Sequence, residues 1–196
     1  MIYPSLNTIA DQLNTSLFEK WGATINGTNE IVQLNNIANI NDEKNDLQNK
    51  IVLTLLKVEE EKTLKNGSFY NKKSQDAFDK HHPAVYLNLY LLLAVTKKNY
   101  RESLQLLSDC ITFFQHHKVF KGKAGNGDAD QDEFRLTIEL HDINFQEVFE
   151  MWSNLGSKQF PSIIYKVRLV KFLDIQSVEE VPSIKTVNVQ YDVSSP

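Results

Sequence analysis

Residues 144–172, NFQEVFEMWSNLGSKQFPSIIYKVRLVKF, constrain this chain more than any other stretch, because a helix start, a helix stop and a long strand follow directly on one another. Asn144 and Glu147 have the spacing of a capping box: the Asn side chain accepts from a first-turn N–H, and the Glu reaches back to the Asn backbone. Phe145, Val148, Phe149 and Trp152 recur at helical spacing and are expected to share one face. Leu155-Gly156 closes the helix, since glycine adopts the left-handed conformation that a helix end needs. Pro161 stops any continuation. From Ile163 to Phe172 branched or aromatic residues alternate with Lys and Arg, the period of a strand. Ile163, Tyr165, Val167, Leu169 and Lys171 are expected on one face; Ile164, Lys166, Arg168, Val170 and Phe172 fall on the other. The helix is expected to fold back over the sheet that this strand joins.

The rest of the chain supplies partners for that unit. Its 196 residues are enough for one core, with 41% hydrophobic and 23% charged residues, the profile of a soluble globular protein. With 25 acidic against 21 basic residues and a net charge of −4, no basic run marks a nucleic-acid partner. The longest apolar run, Ala84 to Val95, is too short for a bilayer and contains Asn88 and two tyrosines. The N-terminus has no basic segment ahead of its apolar residues, which argues against a secretory signal. One cysteine, Cys110, excludes an intramolecular disulfide framework and agrees with synthesis in a reducing cytoplasm.

In chain order, Pro4 to Lys20 reads as a helix with Leu6, Ile9, Ala10, Leu13 and Leu17 in one stripe, stopped at Gly22. Ile31 to Leu34 reads as a short strand, Asn41 to Asn49 as a loop or weak turn, and Ile51 to Glu61 as a longer strand. Leu64 to His82 is a polar excursion with a turn at Asn66-Gly67. Ala84 to Val95 is apolar on both faces except at Asn88, the pattern of a central strand covered on two sides. Asn99 caps a second helix reaching His117, with a main stripe of Tyr100, Leu104, Leu107, Ile111 and Phe114, widened by Leu106, Cys110 and Phe113. Lys121 to Glu133 is a Gly/Asp-rich loop. Phe134 to His141 is a strand with Phe134, Leu136, Ile138 and Leu140 on one face. The expected fold is α/β (α+β): one mixed sheet of about four to five strands with helices packed on it. Residues 1–174 form the domain, and 175–196 an arm or an edge strand.

No motif supplies chemistry. Asp128, Asp130, Asp132 and Glu139 occupy calcium-loop positions, but Glu133 stands where such a loop needs glycine, and a solvated acidic hairpin is the simpler reading. Gly122 to Gly127 has phosphate-loop spacing with Asp128 in place of the lysine, so a carboxylate would face the phosphate. His81-His82 and His116-His117 are adjacent pairs whose side chains point apart, and His116 and His117 suit a helix C-terminus instead. Cys110 lies in an apolar stripe and reads as a buried thiol. These residues give no catalytic group, cofactor site or metal site.

Three blocks carry a resemblance: HHPAVYLNLYLLLAV (81–95), NYRESLQLLSDCITFFQ (99–115) and INFQEVFEMWSNLGSKQFPSIIYKVRLV (143–170). LNTIADQLN (6–14) and VLTLLKVEEEKTLKN (52–66) fit with them. Together they resemble the cap, or tail-terminator, proteins of phage-tail-like contractile injection systems of the antifeeding-prophage and Photorhabdus-virulence-cassette type. The resemblance runs over most of residues 3–173. Its motif core is Tyr86, Asn88, Trp152, Leu155, Gly156, Pro161 and Tyr165. Positions 23–48, 65–80 and 121–132 match none of it and read as insertions or variable loops.

What the resemblance implies is a structural role with no enzymatic activity. The expected assembly is a homohexameric ring on the distal end of the particle, contacting the inner-tube and sheath proteins, ending their polymerisation and stabilising the extended sheath. The particle would be assembled from protein made in a bacterial cytoplasm, with no nucleic-acid partner and no membrane insertion. Thr186 to Val193 can pair as an arm with an open strand edge of the sheath, Val187, Val189 and Tyr191 filling one face. The alternative is an edge strand of its own sheet, or a non-capping adaptor that binds another tail protein or peptide by strand addition.

Overall fold

The computed structural model describes residues 2–21, 30–42, 45–61, 70–72, 77–80, 85–123, 133–172 and 179–182. In chain order these form α1 (Ile2–Trp21), β1 (Val32–Leu34), a 3-10 turn (Ile37–Asn41), β2 (Ile51–Glu60), β3 (Tyr70–Lys72), β4 (Ala77–Lys80), β5 (Val85–Val95), α2 (Tyr100–His116), β6 (Val119–Lys123), β7 (Glu133–His141), α3 (Phe145–Leu155), β8 (Ser162–Phe172) and β9 (Glu179–Pro182). Six strands make the main sheet in the order β1-β2-β5-β8-β7-β6; β3, β4 and β9 form a separate three-stranded sheet. Only β1 with β2 runs parallel in the main sheet; its other neighbours are antiparallel. The mixed α/β sheet with packed helices is therefore as expected, with six strands in place of four to five.

The additional strand is β6. Lys121, Gly122 and Lys123 read as the start of a loop, yet they pair with Arg135, Phe134 and Glu133. A lone glycine weakens a strand, but here the Phe134 ring lies over Gly122, so that a Cβ would stand 2.5 Å from its Cζ. The second departure is in the polar excursion. Part of 64–82 forms β3 and β4, and β4 pairs with β9 from the tail. Such pairing uses backbone groups and leaves no apolar periodicity to read.

β5 sits inside the sheet between β2 and β8, and its two faces feed two cores. Leu89, Leu91, Leu93 and Val95 join the α1 stripe (Leu6, Ile9, Ala10, Leu13 and Leu17), with Leu106, Cys110, Phe113, Phe114, Phe120, Tyr165 and Val167. On the other face Leu92 and Ala94 pack with Ile37, Leu47, Val52, Trp152 and Ile164. α1 contacts both β1 and β6, the two outer strands, so the sheet curls around it. The helix is thereby held between the two ends of the sheet. At β1 the contact is specific: the Asn14 side chain accepts from the N–H groups of Ile31 (2.8 Å) and Val32 (3.2 Å).

Two helices turn differently from their expected stripes. In α2 the buried residues are Ser103, Leu106, Cys110, Phe113 and Phe114, whereas Tyr100 and Leu104 face solvent. Leu106, Cys110, Phe113 and Phe114 of the expected broad stripe are buried and Leu107 packs against the same core, so the departure is confined to Tyr100 and Leu104 at the start of the helix. In α3, Val148, Met151, Trp152 and Leu155 face the sheet, while Phe145 and Phe149 are 94% and 74% exposed. Leu140 likewise departs from Phe134, Leu136 and Ile138, which are buried, and is 62% exposed at the far end of β7.

Candidate assembly surface

α3 is fixed in place by local chemistry. Asn144 Oδ1 accepts from the Glu147 N–H at 2.9 Å, and the Glu147 carboxylate accepts from the Asn144 N–H at 2.8 Å, closing the predicted capping box. Gly156 ends the helix at φ 62°, as expected. Trp152 is buried against Phe160, with ring centroids 6.1 Å apart, so it belongs to the core. With those side chains turned inward, Phe145 and Phe149 stand out on one ridge beside Gln146 and Glu150. Asp142, Glu147 and Glu150 surround it, and α3 contains no Lys or Arg. The ridge borders a groove of about 580 Å³ lined by Tyr100, Leu140, His141, Phe145, Met151 and Phe160 among others. Two exposed aromatic rings rimmed by carboxylates make this the most apolar part of the α3 surface.

Beyond α3 the same face of the sheet changes character. Register puts Lys57, Tyr90, Lys166 and Glu139 in one row across β2, β5, β8 and β7. The next rows bring Arg168 opposite Thr137 and Lys121 opposite Arg135. The Tyr90 hydroxyl donates to Glu59 at 2.6 Å, and the ammonium groups of Lys57 and Lys166 each lie 5.4 Å from its ring centroid. His141 meets the same ring edge-on. Arg168 and Glu139 pair at 3.3 Å. The tyrosine hydroxyl first, then Lys57, hold the Glu59 carboxyl below the usual carboxylate range.

The motif residues named in the sequence do not converge on one site. Trp152 and Leu155 belong to the core under α3, and Tyr165 to the opposite core, 4.5 Å from the Phe114 ring. Pro161 contributes its carbonyl, which accepts from the Val95 N–H. Asn88 is buried on β5, its Nδ2 donating to Glu61 at 2.8 Å, and Tyr86 is half-buried on the same strand. Thr186, Val187, Val189, Tyr191 and Val193 lie outside the described residues, as do Asp128, Asp130, Asp132, His81, His82 and Gly22. Glu139 lies on a strand and pairs with Arg168. His116 and His117 each direct Nδ1 at the carbonyl four residues back, closing α2 as expected. Cys110 is buried, and desolvation first, then Asp109, pushes its thiol pKa up. The exposed Phe145–Phe149 ridge and the Tyr90 row were the features sequence reasoning missed. The only signal for the second was the alternation of polar residues along 135–141 and 166–168.

A family model, the Pvc16 N-terminal domain, matches residues 6–186. The chain belongs to the Pvc16 N-terminal domain family. No curated protein matches it. Among solved structures this family member is similar to the sheath/tube terminator, in its extended state, of the extracellular contractile injection system PVC. That match has 11% identity and a TM-score of 0.54, covering 94% of this chain and 64% of the other. It is also similar to the tube-terminating cap of the anti-feeding prophage, with 12% identity, a TM-score of 0.53 and coverage of 91% and 60%. The chain thus spans somewhat under two thirds of the length of each. The terminator-family resemblance and the α/β fold hold, at identities where only the fold carries over. Among the described residues no helix is long and apolar enough to cross a membrane.

Proposed function

We propose that this chain is a cap of a contractile injection system: a structural protein that closes the distal end of the inner tube and its sheath. The observation that carries the reading is the Pvc16 family match over residues 6–186, and the fold shared with a sheath/tube terminator and a tube cap supports it. The physics of the role is simple. A tube built from identical rings grows until its end is bound by something that offers no copy of that end. A homohexameric ring of this chain meets that requirement, seated on the last tube ring and holding the last sheath ring extended. The body of the cap is residues 1–174, and 175–196 is the arm that reaches the sheath. In the arm, Thr186, Val187, Val189, Tyr191 and Val193 add a strand to an open sheath edge, the backbone giving affinity and alternate side chains giving fit.

Tube assembly in the presence of the chain tests this. Electron microscopy is expected to show tubes that stop growing and carry density at one end. Tubes that lengthen as they do without it would sink the reading.

A further inference from the structure

The molecule carries two unlike patches on one side of its sheet, and neither is used by the core. One is the Phe145–Phe149 ridge of α3, rimmed by Asp142, Glu147 and Glu150, with no cation on the helix. The other is the open sheet beyond α3, where Lys57 and Lys166 flank Tyr90 against the carboxylates of Glu59 and Glu139, and Arg168, Arg135 and Lys121 continue the cations across β8, β7 and β6. In a chain of net charge −4, a strand face with this excess of cations is segregated, not average. Two of the cations, Lys121 and Arg135, stand directly opposite each other and are exposed. Like charges at directly paired positions cost stability unless a carboxylate comes between them.

We propose that the acidic aromatic ridge of α3 docks on the basic open sheet face of a second copy of this chain. Charge complementarity chooses the occupant: the ridge is apolar and negative, the sheet face positive with one aromatic ring, Tyr90, on its β5 side. Phe149 and Phe145 supply the desolvated anchors, Tyr90 the aromatic surface beneath them, and Glu150 and Asp142 the counter-charges for Arg135 and Lys166. Neither patch complements itself, so the contact joins unlike surfaces. Repetition of such a contact closes into a ring when the rotation allows. The inference rests on the ring reading above and assigns it an interface. A nucleic acid on the same sheet face is disfavoured, because Glu59 and Glu139 would meet its phosphates.

Charge reversal tests the pairing on the full chain, with tube protein present and mass read by light scattering. Asp142→Lys with Glu150→Lys reverses the ridge; Lys166→Glu with Arg135→Glu reverses the sheet face. Glu147 is left alone because it caps α3. Each reversed protein is expected to stay folded by circular dichroism and to self-associate about tenfold or more weakly. Combining both reversals in one chain is expected to restore association. A combined variant no better than either alone overturns the pairing, as does a ring unaffected by each reversal, and in the second case the ring reading stands. A wild-type chain that stays monomeric with the tube protein, and again when sheath protein is added, sinks both. Binding of a short single-stranded DNA to the wild type in place of a second copy would also overturn it.

Discussion

At the scale of single residues, the Tyr90 row gives a pH-dependent contact with a definite sign. The Glu59 carboxyl is held below its ordinary pKa, chiefly by the Tyr90 hydroxyl and then by Lys57. The ionised form is favoured by folding, so its contribution is present above the unfolded pKa and is lost as pH falls through the lower folded value. NMR titration of Tyr90→Phe should show the Glu59 pKa rising towards its ordinary value; no change would remove the hydroxyl as the cause. Cys110 behaves in the opposite way. Burial pushes the thiol pKa up, so at neutral pH it carries no thiolate to react. A maleimide is expected to leave the native protein unlabelled and to react once the chain is unfolded in guanidinium. Rapid native labelling would contradict its place in the α1–α2 core. Gly156 has open space around it, but its φ is 62°, so Gly156→Ala is expected to cost about 1–2 kcal/mol in chemical denaturation through backbone strain alone.

Among the elements, α3 and the two outer strands show where local and tertiary forces meet. The Asn144 cap was legible because a capping box is a matter of spacing, and the geometry is local. Which face of α3 is buried was not legible, since Phe145 and Phe149 are as apolar as Val148 and Trp152. The choice was made by the shape of the sheet beneath, which accepts the arc from Val148 to Leu155. Trp152→Ala is accordingly expected to cost about 3–5 kcal/mol, whereas Phe149→Ala should leave the melting temperature nearly unchanged. Equal losses would place both rings in the core. At β1, the Asn14 side chain takes the place of a missing neighbour strand. Asn14→Leu should cost about 1–3 kcal/mol for each orphaned N–H and expose Ile31 and Val32 to faster hydrogen exchange. β6 was missed for a related reason: Lys-Gly-Lys has no strand signal until Phe134 covers Gly122 from the paired strand.

For the whole molecule, the curl of the six-stranded sheet around α1 brings together elements far apart in sequence. Lys20 and the Trp21 indole both reach Asp109 at 2.7 Å, tying the end of α1 to α2. Removal of residues 175–196 is expected to leave the body folded while weakening sheath binding in a pull-down. The deletion also removes β9 from its pairing with β4, so circular dichroism of the truncated chain must accompany that assay.

The sequence alone determined what depends on neighbours along the chain. It set the capped start and glycine stop of α3, the stripe of α1 and the two-sided apolar run of β5. It also carried enough rare residues in order, from Trp152 to Arg168, to mark the terminator family. Tertiary structure decided what depends on neighbours across space. It chose the buried face of α3, turned Tyr100 and Leu104 of α2 outward, recruited β6 through one cross-strand ring, and paired β9 with β4. It also brought Lys57, Tyr90 and Lys166 into one row from three strands. Periodicity states that a face is apolar, but only the partner surface decides which of two apolar faces loses its water.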